Sequence, residues 1–117
     1  LSLWAPNIHY EDVFDANSGG DPRVVKLKGY SLDVLPTLKD LRLHGAHLDS
    51  EHSEEMILGE AELVWPMLLP GGILVFDDYG WEGSPEARIA IDKFLARPEV
   101  HNQLLFKGFQ AIVLKID

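Results

Sequence analysis

Leu68-Leu69-Pro70-Gly71-Gly72-Ile73-Leu74-Val75-Phe76-Asp77-Asp78-Tyr79-Gly80-Trp81 is the stretch on which the fold turns. It reads as a helix end, a Pro-Gly-Gly turn, a short apolar strand and two adjacent carboxylates where the strand stops. Four consecutive apolar residues, Ile73 to Phe76, suit a strand buried on both faces, as in a parallel sheet flanked by helices. In open α/β sheets, ligands bind outside the carboxyl ends of the strands. Asp77 and Asp78 fall at that end. Two neighbouring carboxylates repel, so a cation, a proton or strong hydrogen bonds must stabilise the pair.

Upstream, Ser53 caps a helix whose first turn carries Glu54 and Glu55, matching the positive end of the helix dipole. Ile57, Ala61, Val64 and Leu68 repeat at helical spacing and predict its buried stripe, with the end near Leu68 or Leu69. Leu41 to Leu48 reads as a strand ending at Asp49. Arg23 to Lys28 alternates around Val24, Val25 and Leu27 and reads as another. Gly29-Tyr30-Ser31 ends it, and Ser31 is placed to cap a short helix over Leu32 to Leu38. Downstream, Ser84-Pro85-Glu86 opens a helix lined by Ala87, Ala90, Ile91, Phe94 and Leu95. Leu104 to Phe106 and Gln110 to Ile116 form a hairpin about Lys107-Gly108. Alternating strands and helices imply an α/β sheet of right-handed crossovers, closed by an antiparallel hairpin at one edge. Residues 1–22 show no readable order, and 23–117 form the core of a single domain.

The 117 residues carry a formal charge of −9, with 46% hydrophobic residues and no cysteine. That charge argues against nucleic acid or an anionic membrane as the main partner. Disulfides and thiolate metal sites are excluded. The longest apolar stretch, Leu63 to Phe76, is broken by Pro66, Pro70, Gly71 and Gly72 and is too short to span a bilayer. Leu1 to Tyr10 lacks the basic start and apolar core of a signal peptide, and the expectation is a cytoplasmic protein. His9, His44, His47 and His101 show no ligand spacing, and Tyr79 and Trp81 read as pocket-lining or core-covering aromatics.

His47-Leu48-Asp49-Ser50-Glu51-His52-Ser53, followed by Trp65-Pro66-Met67-Leu68-Leu69-Pro70-Gly71-Gly72 and Asp77-Asp78, resembles the class I S-adenosylmethionine-dependent methyltransferases. The resemblance is to the family of macrolide and aminocoumarin sugar O-methyltransferases, and it covers roughly residues 23 to 96. That family shows an isoleucine-aspartate-glycine-aspartate-histidine-serine turn, a proline-glycine-glycine turn and a double aspartate. The resemblance implies an α/β Rossmann-like class I methyltransferase fold, incomplete, with a mostly parallel sheet and a C-terminal antiparallel hairpin. It also implies S-adenosylmethionine as cofactor, a small-molecule hydroxyl as substrate, and Asp49, Asp77 and Asp78 as ligands of Mg²⁺ or another divalent cation. A hard cation orients a hydroxyl and lowers its pKa. Asp49 and His52 are then the candidate bases. Gly29, Tyr30, Ser31 and Asp49 are the candidate cofactor contacts.

The chain departs from the family pattern in several places. The glycine-rich cofactor loop has no counterpart, Gly29-Tyr30-Ser31 lacks the usual acid, and Ser50 and Glu51 replace a glycine and an aspartate. The expectation is therefore the C-terminal part of such a domain, binding S-adenosylmethionine weakly by itself, with an open sheet edge that favours homo-oligomers. The rival reading is a non-catalytic, degenerate methyltransferase-like interaction module.

Overall fold

The computed structural model describes residues 10–49, 53–83 and 85–117. Helix α1 spans Tyr10–Ser18 and α2 spans Ser31–Val34, continued by a 3₁₀ turn over Leu35–Leu38. Strand β1 is Leu43–Leu48 and helix α3 is Glu54–Val64, continued by a 3₁₀ turn over Trp65–Met67. Then follow β2 (Leu68–Phe76), α4 (Glu86–Leu95), β3 (Asn102–Lys107) and β4 (Ala111–Lys115).

The strands form one sheet in the order β1-β2-β4-β3. β1 and β2 are parallel, while β4 is antiparallel to both β2 and β3. β1, β2 and β3 therefore run in the same direction, and only β4 opposes them. The C-terminal hairpin is present, with β4 inside the sheet and β3 on its edge. β2 lies between β1 and β4, which explains its unbroken apolar run.

The core lies between one face of this sheet and the helices α3 and α4. Leu68, Leu74, Phe76, Ile91, Phe94 and Val113 are its largest fully buried side chains. Phe94 meets Trp65 edge-on at 5.7 Å between ring centroids and Phe76 at 6.3 Å. Ser53 caps α3 by accepting a hydrogen bond from the Met56 N–H at 3.3 Å. Small residues let α2 close on this layer: a Cβ on Gly59 would stand 3.0 Å from Leu32 Cδ2.

Several expectations are corrected. Residues 24–28 belong to no strand. Val24, Val25 and Leu27 are exposed, and nothing among the described residues pairs with their backbone as a ladder. Alternation fits a strand, but a strand also needs a neighbour with a free edge in register. α3 ends at Val64 rather than near Leu68, because Pro66 turns the chain into a 3₁₀ helix. Pro70-Gly71-Gly72 is not a turn before the strand but a bulge inside it. The register passes from Leu43↔Leu68 to Gly45↔Ile73, and Gly71 takes up the excess chain at φ +85°.

Tyr30, not Ser31, occupies the cap position of α2, without a side-chain cap. Pro85 stands at the cap of α4, and the expected cap Ser84 lies outside the described residues. α1 occupies part of a region that showed no readable order. No helix among the described residues is long and apolar enough to cross a membrane.

Candidate functional site

Strand alternation places the site. In a parallel pair, side chains two apart share a face. His47 pairs with Val75 and Leu48 with Phe76. One step further, the Asp77 N–H donates to the Leu48 carbonyl at 3.0 Å, so the pairing runs past both strand ends. Leu74 and Phe76 face the helices and are buried. His47, Asp49, Val75 and Asp77 therefore share the opposite face. Across the antiparallel pair, Phe76 stands against Ala111, which sets Gln110 beside Asp77. The Gln110 Nε2 donates to Asp77 Oδ1 at 2.9 Å.

The result is a cluster at the carboxyl ends of β1 and β2. One ligand-type atom each from His47, Asp49 and Asp77 lies within 4.8 Å of the others. His47 Nε2 is 4.0 Å from Asp77 Oδ1, and the Asp77 side chain is only 18% exposed. Asp78 is not a member of this set among the described residues. It follows Asp77 on the other side of the alternation and adopts φ +58°, a left-handed conformation that aspartate tolerates better than most residues. Its carbonyl accepts from the Trp81 N–H at 3.0 Å, closing the turn.

The two carboxylates are shifted in opposite directions. The Asp49 carboxyl is held above the ordinary aspartate value, first by its hydrogen bond to Asp77. Burial and the negative charges of Asp77 and Asp78 add to this, and His47 opposes it. For Asp77 the largest single influence is burial, which pushes it up. Hydrogen bonds from Gln110, Asp49 and the Asp78 N–H, with the His47 charge, outweigh that and hold it below the ordinary value. Neighbouring like charges oppose each other's ionisation, which separates the two acidities.

In the loop after β2 and at the start of α4, a cavity of about 290 Å³ is lined by Tyr79, Gly80, Trp81, Glu82, Pro85 and Arg88. The Tyr79 hydroxyl donates to Asp92 Oδ1 at 2.7 Å. Burial first, then that carboxylate, pushes its pKa up to about 12. Tyr79 is thus fixed in place as a wall of the cavity. Gly80 permits the close crossing of the hairpin, since a Cβ there would meet the Gly108 carbonyl oxygen at 2.6 Å.

Of the expected cofactor contacts, Gly29, Tyr30 and Ser31 stand at the start of α2. Tyr30 is 54% exposed, and its hydroxyl donates to Met56 Sδ at 2.9 Å in the first turn of α3. This puts them at the end of α3 that follows Asp49. His52, the other expected base, lies outside the described residues, as do Ser50 and Glu51. Sequence reasoning missed His47 and Gln110. The two-residue step from His47 to Asp49 was a usable signal for the first. Nothing short of the β2–β4 register reveals the second.

The family comparison matches the description "Methyltransferase domain" over residues 3–79, more than half of the chain. Among curated proteins none matches. Among solved structures, the O-methyltransferase NovP aligns with a TM-score of 0.75 at 21% identity, covering 91% of this chain and 43% of that one. CalS11, a TDP-rhamnose 3'-O-methyltransferase of calicheamicin biosynthesis, aligns at 0.62 with 23% identity, covering 91% and 50%. A protein from Corynebacterium glutamicum aligns at 0.68 with 23% identity, covering 90% and 54%. The chain spans about half the length of the solved structures it matches. At these identities the likeness establishes the Rossmann-like methyltransferase fold. With the family match over residues 3–79, the chain belongs to the methyltransferase-domain family, whose members use S-adenosylmethionine.

Proposed function

We propose that the protein carrying this chain is an S-adenosylmethionine-dependent O-methyltransferase. Its acceptor is a hydroxyl of a small molecule, and a divalent cation at Asp49 and Asp77, with Asp78 alongside, assists the transfer. The observation that carries this reading is the convergence of Asp49 and Asp77 at the carboxyl ends of adjacent parallel strands. The donor set fits a cation. Two carboxylates and an imidazole offer hard and borderline ligands, and a cation would relieve the repulsion between the carboxylates.

In the proposed reaction an oxygen–carbon bond forms as the carbon–sulfur bond of the sulfonium breaks, and the hydroxyl loses its proton. The cation, when bound, would lower the pKa of the acceptor hydroxyl. Asp77 is suited to hold charge, because Gln110 fixes its Oδ1 and keeps it ionised. Asp49 is a carboxylate on the same sheet face that can accept a proton, and His52 is the other base that the family resemblance implies. Tyr79, Trp81 and Pro85 would exclude water on the neighbouring side, where the acceptor is proposed to sit. Gly29 leaves the backbone open to close approach, and the exposed ring of Tyr30 offers a flat face to the cofactor's adenine.

Equilibrium dialysis of the whole protein against labelled S-adenosylmethionine, together with calorimetric titration of Mg²⁺ and Mn²⁺, tests this reading. Saturable binding of both is expected, with cation binding lost in Asp77→Asn. Absence of cofactor binding would remove the methyltransferase reading and leave an interaction module. Equal cation binding by both proteins would remove the metal.

A further inference from the structure

We propose that His47 supplies a nitrogen ligand to the cation held by Asp49 and Asp77, so that the site prefers a borderline ion such as Mn²⁺ over Mg²⁺. This rests on the cation reading above and refines it.

The geometry assigns the third ligand to His47. It stands two residues before Asp49 on β1 and directly across from Val75, two before Asp77 on β2. All three side chains leave the same face of the sheet at the same end. Ligands about 2.1 Å from an octahedral ion stand roughly 3.0 Å apart when adjacent and about 4.2 Å apart when opposite. The 4.0 Å from His47 Nε2 to Asp77 Oδ1 falls inside that span. The imidazole is 51% exposed, so it has room to adjust by the remaining fraction of an ångström. Asp78 takes a left-handed step at φ +58° after Asp77 and is not among the mutually close ligand atoms of the described residues. His44, three residues before His47, lies on the opposite face by the same alternation.

The chemistry of the set then decides the preference. Carboxylates alone suit Mg²⁺, Ca²⁺ and Mn²⁺, whereas an imidazole raises affinity for transition ions and contributes little for Mg²⁺. Gln110, holding Asp77 from the β4 side, is the positioning residue that leaves the Asp77 carboxylate turned toward His47 and Asp49.

The test is pulsed electron paramagnetic resonance of the whole protein loaded with Mn²⁺, read for coupling to ¹⁴N. It is run on the wild type, His47→Gln and His44→Gln, alongside calorimetric Kd values for Mn²⁺ and Mg²⁺. Nitrogen coupling is expected in the wild type and in His44→Gln and is expected to vanish in His47→Gln. The Mn²⁺ Kd of His47→Gln should rise about tenfold or more, with a smaller change for Mg²⁺. Mn²⁺ bound without nitrogen coupling, or coupling that survives in His47→Gln, would overturn the assignment while leaving the cation reading intact. Failure of the wild type to bind either ion would overturn both. Circular dichroism of the variants confirms that they are folded, since His47 is exposed and outside the core.

Discussion

Replacing Asp49 by asparagine should make the cation-free protein more stable and the cation-loaded protein less so. The chief influence on the Asp49 carboxyl is its hydrogen bond to Asp77. Its folded pKa is raised above the ordinary value of 3.8. A raised carboxyl contributes stability that is fully present below the unfolded pKa and is lost as pH rises through the folded value. Asp77 is lowered, and its contribution runs the other way: present above 3.8 and lost as pH falls through its folded value. The asparagine amide keeps a donor for Asp77 at every pH and never ionises.

Two charges about 4 Å apart repel by roughly 4 kcal/mol at an effective dielectric of 20. Asp49 is exposed, and solvent screening reduces the net effect to about 0.5–1 kcal/mol. Urea unfolding in chelator should therefore show Asp49→Asn about 0.5–1 kcal/mol more stable at pH 8 and equal to the wild type at pH 4. Adding Mn²⁺ at a hundred times the wild-type Kd should reverse the order, because the wild type gains about 2.7 kcal/mol and the variant little. A variant less stable than the wild type at pH 8 in chelator would refute the repulsion between Asp49 and Asp77. So would a difference that is the same at both pH values.

Other expectations concern the frame that holds the site. Phe94→Ala removes the ring packed against Trp65 and Phe76 and should cost about 3–5 kcal/mol in urea unfolding; a loss below about 1 kcal/mol would mean the core is not organised there. Lys115 is buried and donates to the Trp65 and Leu68 carbonyls, both at 2.8 Å, tying the end of the α3 layer to the start of β2. Lys115→Met orphans both acceptors while relieving a buried charge, for a net loss of about 2 kcal/mol; an unchanged melting temperature would count against the clamp. Gly80→Ala drives a Cβ into the Gly108 carbonyl and should destabilise by about 1–3 kcal/mol, while weakening ligand binding in the cavity lined by Trp81 and Arg88.

Much of this architecture was legible because local and global signals agreed. Ile73 to Phe76 reads as an interior strand from composition alone, and it is one. The expected stripes of α3 and α4 are buried, apart from Leu95, which is half-buried, although the Pro66 turn hands Leu68 over to β2. Asp49 and Asp77 were legible as a pair through the strand ends that carry them. Residues 24–28 were not, because an alternating pattern is the same whether or not a partner strand stands beside it. The bulge at Pro70-Gly71-Gly72 was hidden for a related reason: the residues that make a turn also absorb excess chain within a ladder. Gln110 enters the site through cross-strand register, and Lys115 reaches carbonyls about fifty positions earlier in the chain. Neither has a local signature. His47 did have one, the two-residue step to Asp49, and reading each histidine singly concealed it.

Transfer of a labelled methyl group tests the central claim most directly. The whole protein, incubated with methyl-labelled S-adenosylmethionine, Mn²⁺ or Mg²⁺ and a panel of small hydroxylated acceptors, should place label on an acceptor oxygen. Asp77→Asn should lower that rate by about 100-fold or more, since it removes a proposed cation ligand. No transfer to any acceptor together with no retention of the labelled cofactor, or full activity in Asp77→Asn, would contradict the account.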